Sequence, residues 1–427
     1  MRAIERWLAS LESDAREFRE ALKDPAGAQQ RVREECQSLL PARREKVAEG
    51  RMRGIVTYDD LEPYVARICD GEQNVLTRER VLMVEKTSGS TSPAKFIPYT
   101  ATLRRQFMRA LAPWMIDLYA TYPKLTEGRA FWSISPLARA RERTRGGLPI
   151  GFEDDRDYFD SNDLDEILAL PRGVTDPHAA IGDDSIVFAS IWNPTYLIAL
   201  GDMRWRNLEV ISCWTGAAAS LALPRLRAMY PSVAIQPKGL LATEGVVSIP
   251  YAGKHPLAIT SHFFEFVGED GVYLAHELRE GREYRVILTT GGGLTRYDLG
   301  DVVRVNGFVE ATPSIEFIGR AGDVVDLCGE KLSEPFVRRA LESCGVDAPV
   351  AFLAPRDDHY ALFIDGDADG RAVDAALRAN PHYDYCRRIG QLGPIDVVTI
   401  SSSAFLASRA GKIGNVKPRA LLRHFEP

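Results

Sequence analysis

The stretch Thr87-Ser88-Gly89-Ser90-Thr91-Ser92-Pro93-Ala94-Lys95 decides how the rest of this chain is read. It is a run of hydroxyls around a glycine, closed by a lysine. It follows Arg80-Val81-Leu82-Met83-Val84, an apolar segment with the composition of a buried strand. A loop of this kind offers backbone N–H groups, hydroxyl donors and one cation to a polyphosphate. A Ser/Thr-rich surface turn would share the composition, so the loop does not decide alone. A Walker loop is excluded. Ala94 occupies the place of its second glycine, and Phe96 the place of the hydroxyl that would bind Mg²⁺.

Distant segments supply the discrimination. Gly239-Leu240-Leu241-Ala242-Thr243-Glu244-Gly245 sets a threonine and a carboxylate after a strand end. Thr295-Arg296-Tyr297-Asp298-Leu299-Gly300-Asp301 sets a second carboxylate behind a glycine, and Val302-Val303-Arg304-Val305 returns to strand. Then come Phe317-Ile318-Gly319-Arg320-Ala321-Gly322-Asp323 and Gly329-Glu330-Lys331-Leu332-Ser333-Glu334. A hydroxyl loop, Thr-Glu, Gly-Asp, Gly-Arg and a late lysine, in that order, resemble the adenylate-forming enzymes. Arg296-Tyr297, Leu299-Gly300-Asp301, Gly307-Phe308 and Ala311-Thr312-Pro313 resemble one branch best. This is the auxin-responsive promoter family of acyl acid amido synthetases, known from plant auxin and jasmonate conjugation and found also in bacteria. The resemblance runs from about Tyr58 to Arg419.

Composition sets the class. The 427 residues are 45% apolar and 26% charged, enough for two or three domains and a large core. A net charge of −6 gives no electrostatic case for nucleic acid or an anionic membrane as partner. No run of about 18 apolar residues predicts a membrane span. Ile4, Leu8, Leu11, Ala15, Phe18 and Leu22 fall near one face of an N-terminal amphipathic helix, not a signal peptide. The six cysteines show no CxxC pair, which fits a reduced cytoplasm and argues against zinc. His262, in an apolar run, is expected to be a packed core histidine.

Residues 1 to about 70 are expected to be helical, and 80 to about 320 to alternate short strands with helices, an α/β architecture. Pro335–Cys344 is expected as helix, and Val350–Leu353, Tyr360–Ile364 and Ile395–Ile400 as strands of a smaller α+β unit. The resemblance implies the same division. Residues 1–320 would form a large ATP- and acyl-binding domain of mixed sheets and helices, and 321–427 a small mobile lid joined at Ala321-Gly322.

Activating a carboxylic acid as its acyl-adenylate requires two anions to be neutralised and held in line. Ser88, Gly89, Ser90 and Thr91 suit the phosphates, with Lys95 as a cation that alternatively pairs with a carboxylate. Glu244 suits Mg²⁺, a hard cation that prefers carboxylate oxygen. The hydroxyl of Thr243 suits the α-phosphate, and Asp301 suits the two ribose hydroxyls. Arg320 resembles the family arginine near the ribose. Lys417, in Gly411-Lys412-Ile413-Gly414-Asn415-Val416-Lys417-Pro418-Arg419, resembles the lysine that stabilises the forming linkage. Here Pro418 follows directly, where the plant enzymes have one intervening residue, so Lys412 competes for the role. Other departures are Leu241 for an aromatic residue, Thr243 for serine and Asp298 for arginine. Trp132, Trp192 and Leu241 are candidates for the acyl group, with Ser133, Trp214, Phe107 and Leu111 nearby in the same reading.

The expected activity is ATP- and Mg²⁺-dependent adenylation of a small carboxylic acid, then attack by an amine, most simply an amino acid. Two alternatives stay open: transfer to coenzyme A or a carrier thiol, and a catalytically silent, nucleotide-binding regulatory relative.

Overall fold

The computed structural model describes residues 1–41, 54–86, 95–132, 142–152, 155–159, 161–174, 176–321, 324–325, 330, 332–356, 358–388, 390, 392–402, 405, 419–422 and 425. The chain divides into two compact units. One comprises Met1–Ser190, Met203–Ser212 and Ala234–Phe317; the other comprises Ile191–Asp202, Cys213–Val233 and Ile318–Pro427.

The first unit opens with helices α1 (Ala3–Ala21), α2 (Pro25–Ser38) and α3 (Tyr58–Cys69). Helix α1 buries Ile4, Trp7, Leu11, Ala15 and Phe18, a stripe at helical spacing. Trp7 joins this face, its indole packing against Tyr119 and Phe159, and Leu8 packs half-buried against the same core. Asp24 caps α2 by accepting from the Gly27 N–H, with Pro25 at the first turn.

Strands β1 (Met83–Lys86) and β2 (Phe96–Tyr99) pair antiparallel, Met83 opposite Tyr99 and Lys86 opposite Phe96. Thr100 then caps α4 (Ala101–Thr121), accepting from the Leu103 N–H. Strands β3 (Arg129–Trp132), β4 (Ile186–Ser190), β5 (Val210–Cys213) and β6 (Ala234–Pro237) form a four-stranded sheet in that order, β3, β4 and β5 running parallel. The one-turn helix α5 (Leu164–Ile167) lies between β3 and β4 in sequence.

Beyond β6 the expected alternation of strand and helix does not hold. The segment is a run of strands: β7 (Leu241–Ala242), β8 (Gly245–Val246), β9 (Phe263–Val267), β10 (Val272–Leu274), β11 (Glu283–Thr289), β12 (Tyr297–Val309) and β13 (Thr312–Arg320). Five of them make a sheet ordered β10-β9-β11-β12-β13, with antiparallel β10–β9, β9–β11 and β11–β12 pairs. Antiparallel pairing needs no crossover helices.

The second unit carries α6 (Pro194–Leu200), α7 (Leu223–Met229), the pair β14 (Val324–Val325) and β15 (Leu332–Ser333), and α8 (Glu334–Ser343). Strands β16 (Ala351–Pro355) and β17 (Tyr360–Ile364) pair antiparallel, and β18 (Asp396–Thr399) adds parallel to β17. Helices α9 (Gly370–Leu377) and α10 (Pro381–Arg388) complete it. Strand alternation gives its sheet two apolar faces. Leu353, Leu362 and Ile364 join Val337, Leu341 and Val373 on one. Phe352, Ala354 and Phe363 join Phe405 and Phe425 on the other.

Candidate active site

The hydroxyl loop Ser88, Gly89, Ser90 and Thr91 lies outside the described residues, but both its ends are fixed. The Lys86–Phe96 pair closes the β1–β2 ladder, so the loop leaves and returns within about 5 Å, one strand spacing. Lys95 stands at the returning end, its ammonium 5.3 Å from the centroid of the Tyr58 ring. The Tyr58 hydroxyl accepts from the Phe96 N–H at 2.8 Å. On the departing strand Glu85 is only 8% exposed, and its carboxylate accepts from the Phe152 N–H at 3.1 Å.

Thr243 and Glu244 are the two turn residues of the β7–β8 hairpin, flanked by the pairs Leu241–Val246 and Ala242–Gly245. The turn leaves Glu244 only 7% exposed. Gly245 fits for lack of a side chain. A Cβ there would stand 2.9 Å from both His262 Nε2 and Leu288 Cδ2. His262 is the core histidine the sequence led one to expect: fully buried, with Nδ1 3.3 Å from Gln106 Oε1. Burial first, and the Arg109 charge second, bring its pKa down to about 3. It is therefore a neutral packing group.

Asp301 lies on the inward phase of β12, in register with Tyr297, Leu299, Val303 and Val305, and is 4% exposed. A bulge presents it. Between the pairs Arg285–Val302 and Ile287–Asp298, one residue of β11 faces three of β12. Gly300 in the bulge adopts φ +75, and its N–H donates to Asp298 Oδ1 at 2.9 Å. Asp298, which replaces an arginine of the plant pattern, pairs with Arg285 Nε at 3.4 Å.

Two tyrosines tie these pieces together. Tyr99 ends β2, the strand leaving the hydroxyl loop, and its hydroxyl donates to the Thr243 carbonyl at 2.6 Å. Burial, followed by Tyr158 and the Glu85 charge, raises the Tyr99 pKa well above the ordinary value, so it stays a donor at any working pH. Tyr297 begins β12, four positions before Asp301, and its hydroxyl reaches Glu244 Oε1 at a long 3.5 Å. Thr243 and Glu244 are thus linked to the strands bearing the loop and Asp301. Tyr297 stands in the stretch that carries the family resemblance, whereas nothing in the sequence marks Tyr99, Tyr58 or Glu85 as part of the site. Phe107, Phe152 and Tyr158 surround the Tyr99 ring at 5.7, 5.4 and 6.3 Å.

The other candidates are more scattered. Leu241 is half-buried in β7, next to the turn. Trp132 ends β3 and packs on Phe159 and Trp7, with centroids 5.2 and 6.5 Å away. Trp192 belongs to the second unit and packs on Trp214 at 5.6 Å. Arg320 is the last residue of β13, and its side chain lies outside the described residues. Ser133, Lys412 and Lys417 also lie outside them. The chain just after Lys417 is anchored. The Ala420 N–H donates to Glu334 Oε1 at 3.2 Å, and Ala420 and Leu422 bond to the Leu353 backbone at 2.9 and 2.8 Å.

Among the described residues no cation pairs with the Glu244 carboxylate, and no three His, Cys, Asp or Glu side chains gather to hold a metal. A buried carboxylate without a counter-charge is costly and suits an incoming cation. With one protein carboxylate, the donor set fits Mg²⁺, which keeps water and phosphate as its other ligands. No described helix is long and apolar enough to cross a membrane.

Comparison with known proteins gives consistent matches. The GH3 family N-terminal domain matches residues 51–186, which include the hydroxyl loop, and the GH3 family central domain matches residues 255–320, which include Asp301 and Arg320. The putative indole-3-acetic acid-amido synthetase GH3.10 of Oryza sativa subsp. japonica is 25% identical over 399 residues, 77% of this chain and 82% of its own length. The jasmonoyl-L-amino acid synthetase JAR6 of Nicotiana attenuata is 22% identical over 470 residues, 82% of this chain and 80% of its own. The solved structure of GH3.15 acyl acid amido synthetase superposes with a TM-score of 0.80, covering 96% of this chain and 94% of that one at 15% identity. At that identity the superposition establishes the α/β fold.

Proposed function

This chain belongs to the GH3 family, and on that footing we propose that it is an ATP-dependent acid–amino acid ligase working through an acyl-adenylate. The observation that carries the reading is the linkage of the Thr243–Glu244 turn, through Tyr99 and Tyr297, to the strands bearing the hydroxyl loop and Asp301. These bonds join β2, which follows the hydroxyl loop, and β12, which carries Asp301, to one turn, and that supports reading the three motifs as parts of one nucleotide site. The relatives named as amido synthetases act on indole-3-acetic acid or a jasmonoyl group. For this chain the substrates are a small carboxylic acid and an amine, most simply an amino acid.

In the first half-reaction a carboxylate oxygen attacks the α-phosphorus of ATP. The bond to the bridging oxygen breaks, and pyrophosphate leaves with its electron pair. Ser88, Gly89, Ser90 and Thr91 cradle the phosphates through hydroxyl and backbone donors. The Thr243 hydroxyl donates to the α-phosphate, and its place is set by the carbonyl bond from Tyr99. Asp301 accepts from the ribose hydroxyls, with Arg320 beside them. Glu244 would hold Mg²⁺, which supplies neutralisation of phosphate charge. Lys417 stabilises charge on the forming carboxylate–phosphate linkage.

In the second half-reaction the neutral amine attacks the acyl carbon. The carbon–oxygen bond to AMP breaks and the nitrogen loses a proton. Leu241, Trp132 and Trp192 are assigned to the acyl group; each is half-buried and keeps apolar surface uncovered. Residues 321–427 are assigned to a mobile domain in this scheme, and the protein to the cytoplasm, where ATP is supplied. The test is pyrophosphate release from MgATP across a panel of carboxylic acids, with mass analysis of products formed with amino acids or with coenzyme A. Acid-dependent pyrophosphate and an amide are expected. A thioester product, or ADP in place of AMP, would overturn the reading.

A further inference from the structure

The Thr243–Glu244 turn is held from two sides, and the holds differ in kind. Tyr99 grips the backbone: its buried hydroxyl gives 2.6 Å to the Thr243 carbonyl, a peptide group that carries no specificity of its own. Tyr297 grips the side chain: its hydroxyl stands 3.5 Å from Glu244 Oε1. Each tyrosine ends or begins a strand carrying another part of the site, Tyr99 on β2 and Tyr297 on β12. The turn itself has little else to define it. Strands β7 and β8 are two residues each, too short to hold a turn rigidly. Gly245 lies against His262 and Leu288, which closes the space behind it but gives no directional bond.

We propose that Tyr99 and Tyr297 are positioning residues with separable tasks: Tyr99 sets the place of the turn for the nucleotide, and Tyr297 orients the Glu244 carboxylate for the metal ion. The inference rests on the reading of Glu244 as the Mg²⁺ ligand. A ligating carboxylate that accepts a hydrogen bond on one oxygen has its rotation restricted and presents the other oxygen outward. Loss of such a supporting partner typically costs ~10- to 100-fold in metal affinity, and the long Tyr297 contact belongs at the lower end. The Tyr99 bond acts on the peptide that carries both the Thr243 hydroxyl and the Glu244 Cα. Its loss therefore weakens nucleotide binding whether or not a metal is present.

The experiment uses the full chain, with Mn²⁺ as the spectroscopic probe and ATP without any acid, so that no turnover intervenes. Electron paramagnetic resonance measures Mn²⁺ bound to the protein–ATP complex, and calorimetry measures ATP binding in chelator. Tyr297→Phe is expected to weaken Mn²⁺ binding by about tenfold and to leave metal-free ATP affinity within about twofold. Tyr99→Phe is expected to weaken metal-free ATP binding severalfold. Tyr119→Phe, which removes a buried hydroxyl of α4 remote from the motifs in sequence, is expected to change neither. Mn²⁺ affinity equal to the parent's in Tyr297→Phe, while Glu244→Gln loses it, would overturn the proposal and leave the metal reading standing. Mn²⁺ binding unaffected by Glu244→Gln would overturn the metal reading itself. Equal losses in all three tyrosine variants, accompanied by lowered melting temperatures, would reduce both roles to general packing and overturn the proposal.

Discussion

Asp301 is a carboxylate at a position where β12 otherwise places Tyr297, Leu299, Val303 and Val305 toward the core. As ligand to two ribose hydroxyls it would contribute charge-assisted hydrogen bonds of about 1.5–3 kcal/mol each. Asp301→Ala is therefore expected to weaken ATP binding at least ~10-fold, measured by calorimetry on a variant with the parent's circular dichroism. Unchanged affinity would remove Asp301 from the site. His262 poses the opposite case. With its pKa lowered to about 3 from an ordinary 6.5, the folded protein cannot take up the proton that the unfolded chain binds below pH 6.5. Its contribution to stability is fully present above pH 6.5 and falls as pH drops toward 3. Between pH 6.5 and 4.5 this amounts to roughly 2 kcal/mol. In urea titrations, His262→Phe should lose less stability than the parent across that window. Equal losses in the two proteins would mean that His262 is hydrated or charged in the fold.

At the scale of elements, strongly apolar strands and patterned helices were legible, and strand pairing was not. The strand expected at Tyr360–Ile364 has those bounds, and the helix expected from Pro335 to Cys344 spans Glu334–Ser343. Both show in the sequence, the strand as an unbroken apolar run and the helix as a helical spacing of Val337, Ala340 and Leu341. The strand expected over Arg80–Val84 instead runs Met83–Lys86, because the ladder with β2 sets its bounds and pairing partners cannot be read from one strand. The strand end expected before Thr243 is the end of β7, but its pairing with β8 was not legible, since two-residue strands contain no period to detect. Thr243 and Glu244 were found through that strand end, their residue types and the motif order. The contacts that hold them could not be found so, because Tyr99 and Thr243 are 144 positions apart and nothing local to either predicts the bond. The run of strands from β7 to β13 was expected as alternating strand and helix, because pairing between distant strands cannot be read from either one alone. A prediction belongs to this scale too. Replacing Glu244 by Gln keeps the hairpin and the size of the side chain but removes the charge, so pyrophosphate release should recover in part as Mg²⁺ is raised. Full activity at low Mg²⁺ would refute the ligand role.

At the scale of the whole molecule, the two half-reactions fall to groups far apart in sequence. Lys417 is assigned to the first half-reaction only, when charge moves onto the α-phosphate and pyrophosphate departs. Loss of one preorganised charge-stabilising donor typically costs ~10²–10³ in rate. Lys417→Ala should lose acid-dependent pyrophosphate release by about that factor, yet still convert a chemically supplied acyl-adenylate to amide. Lys412→Ala should leave adenylation nearly intact, and the reverse pattern would transfer the role to Lys412. The central claim, that an acid oxygen becomes bonded to the α-phosphorus of ATP, has a direct isotopic signature. A carboxylic acid labelled with ¹⁸O in both oxygens, incubated with the enzyme, MgATP and an amino acid, should yield amide together with AMP carrying one ¹⁸O, and unlabelled pyrophosphate. Label appearing in inorganic phosphate alongside ADP, or AMP free of label, would contradict the account.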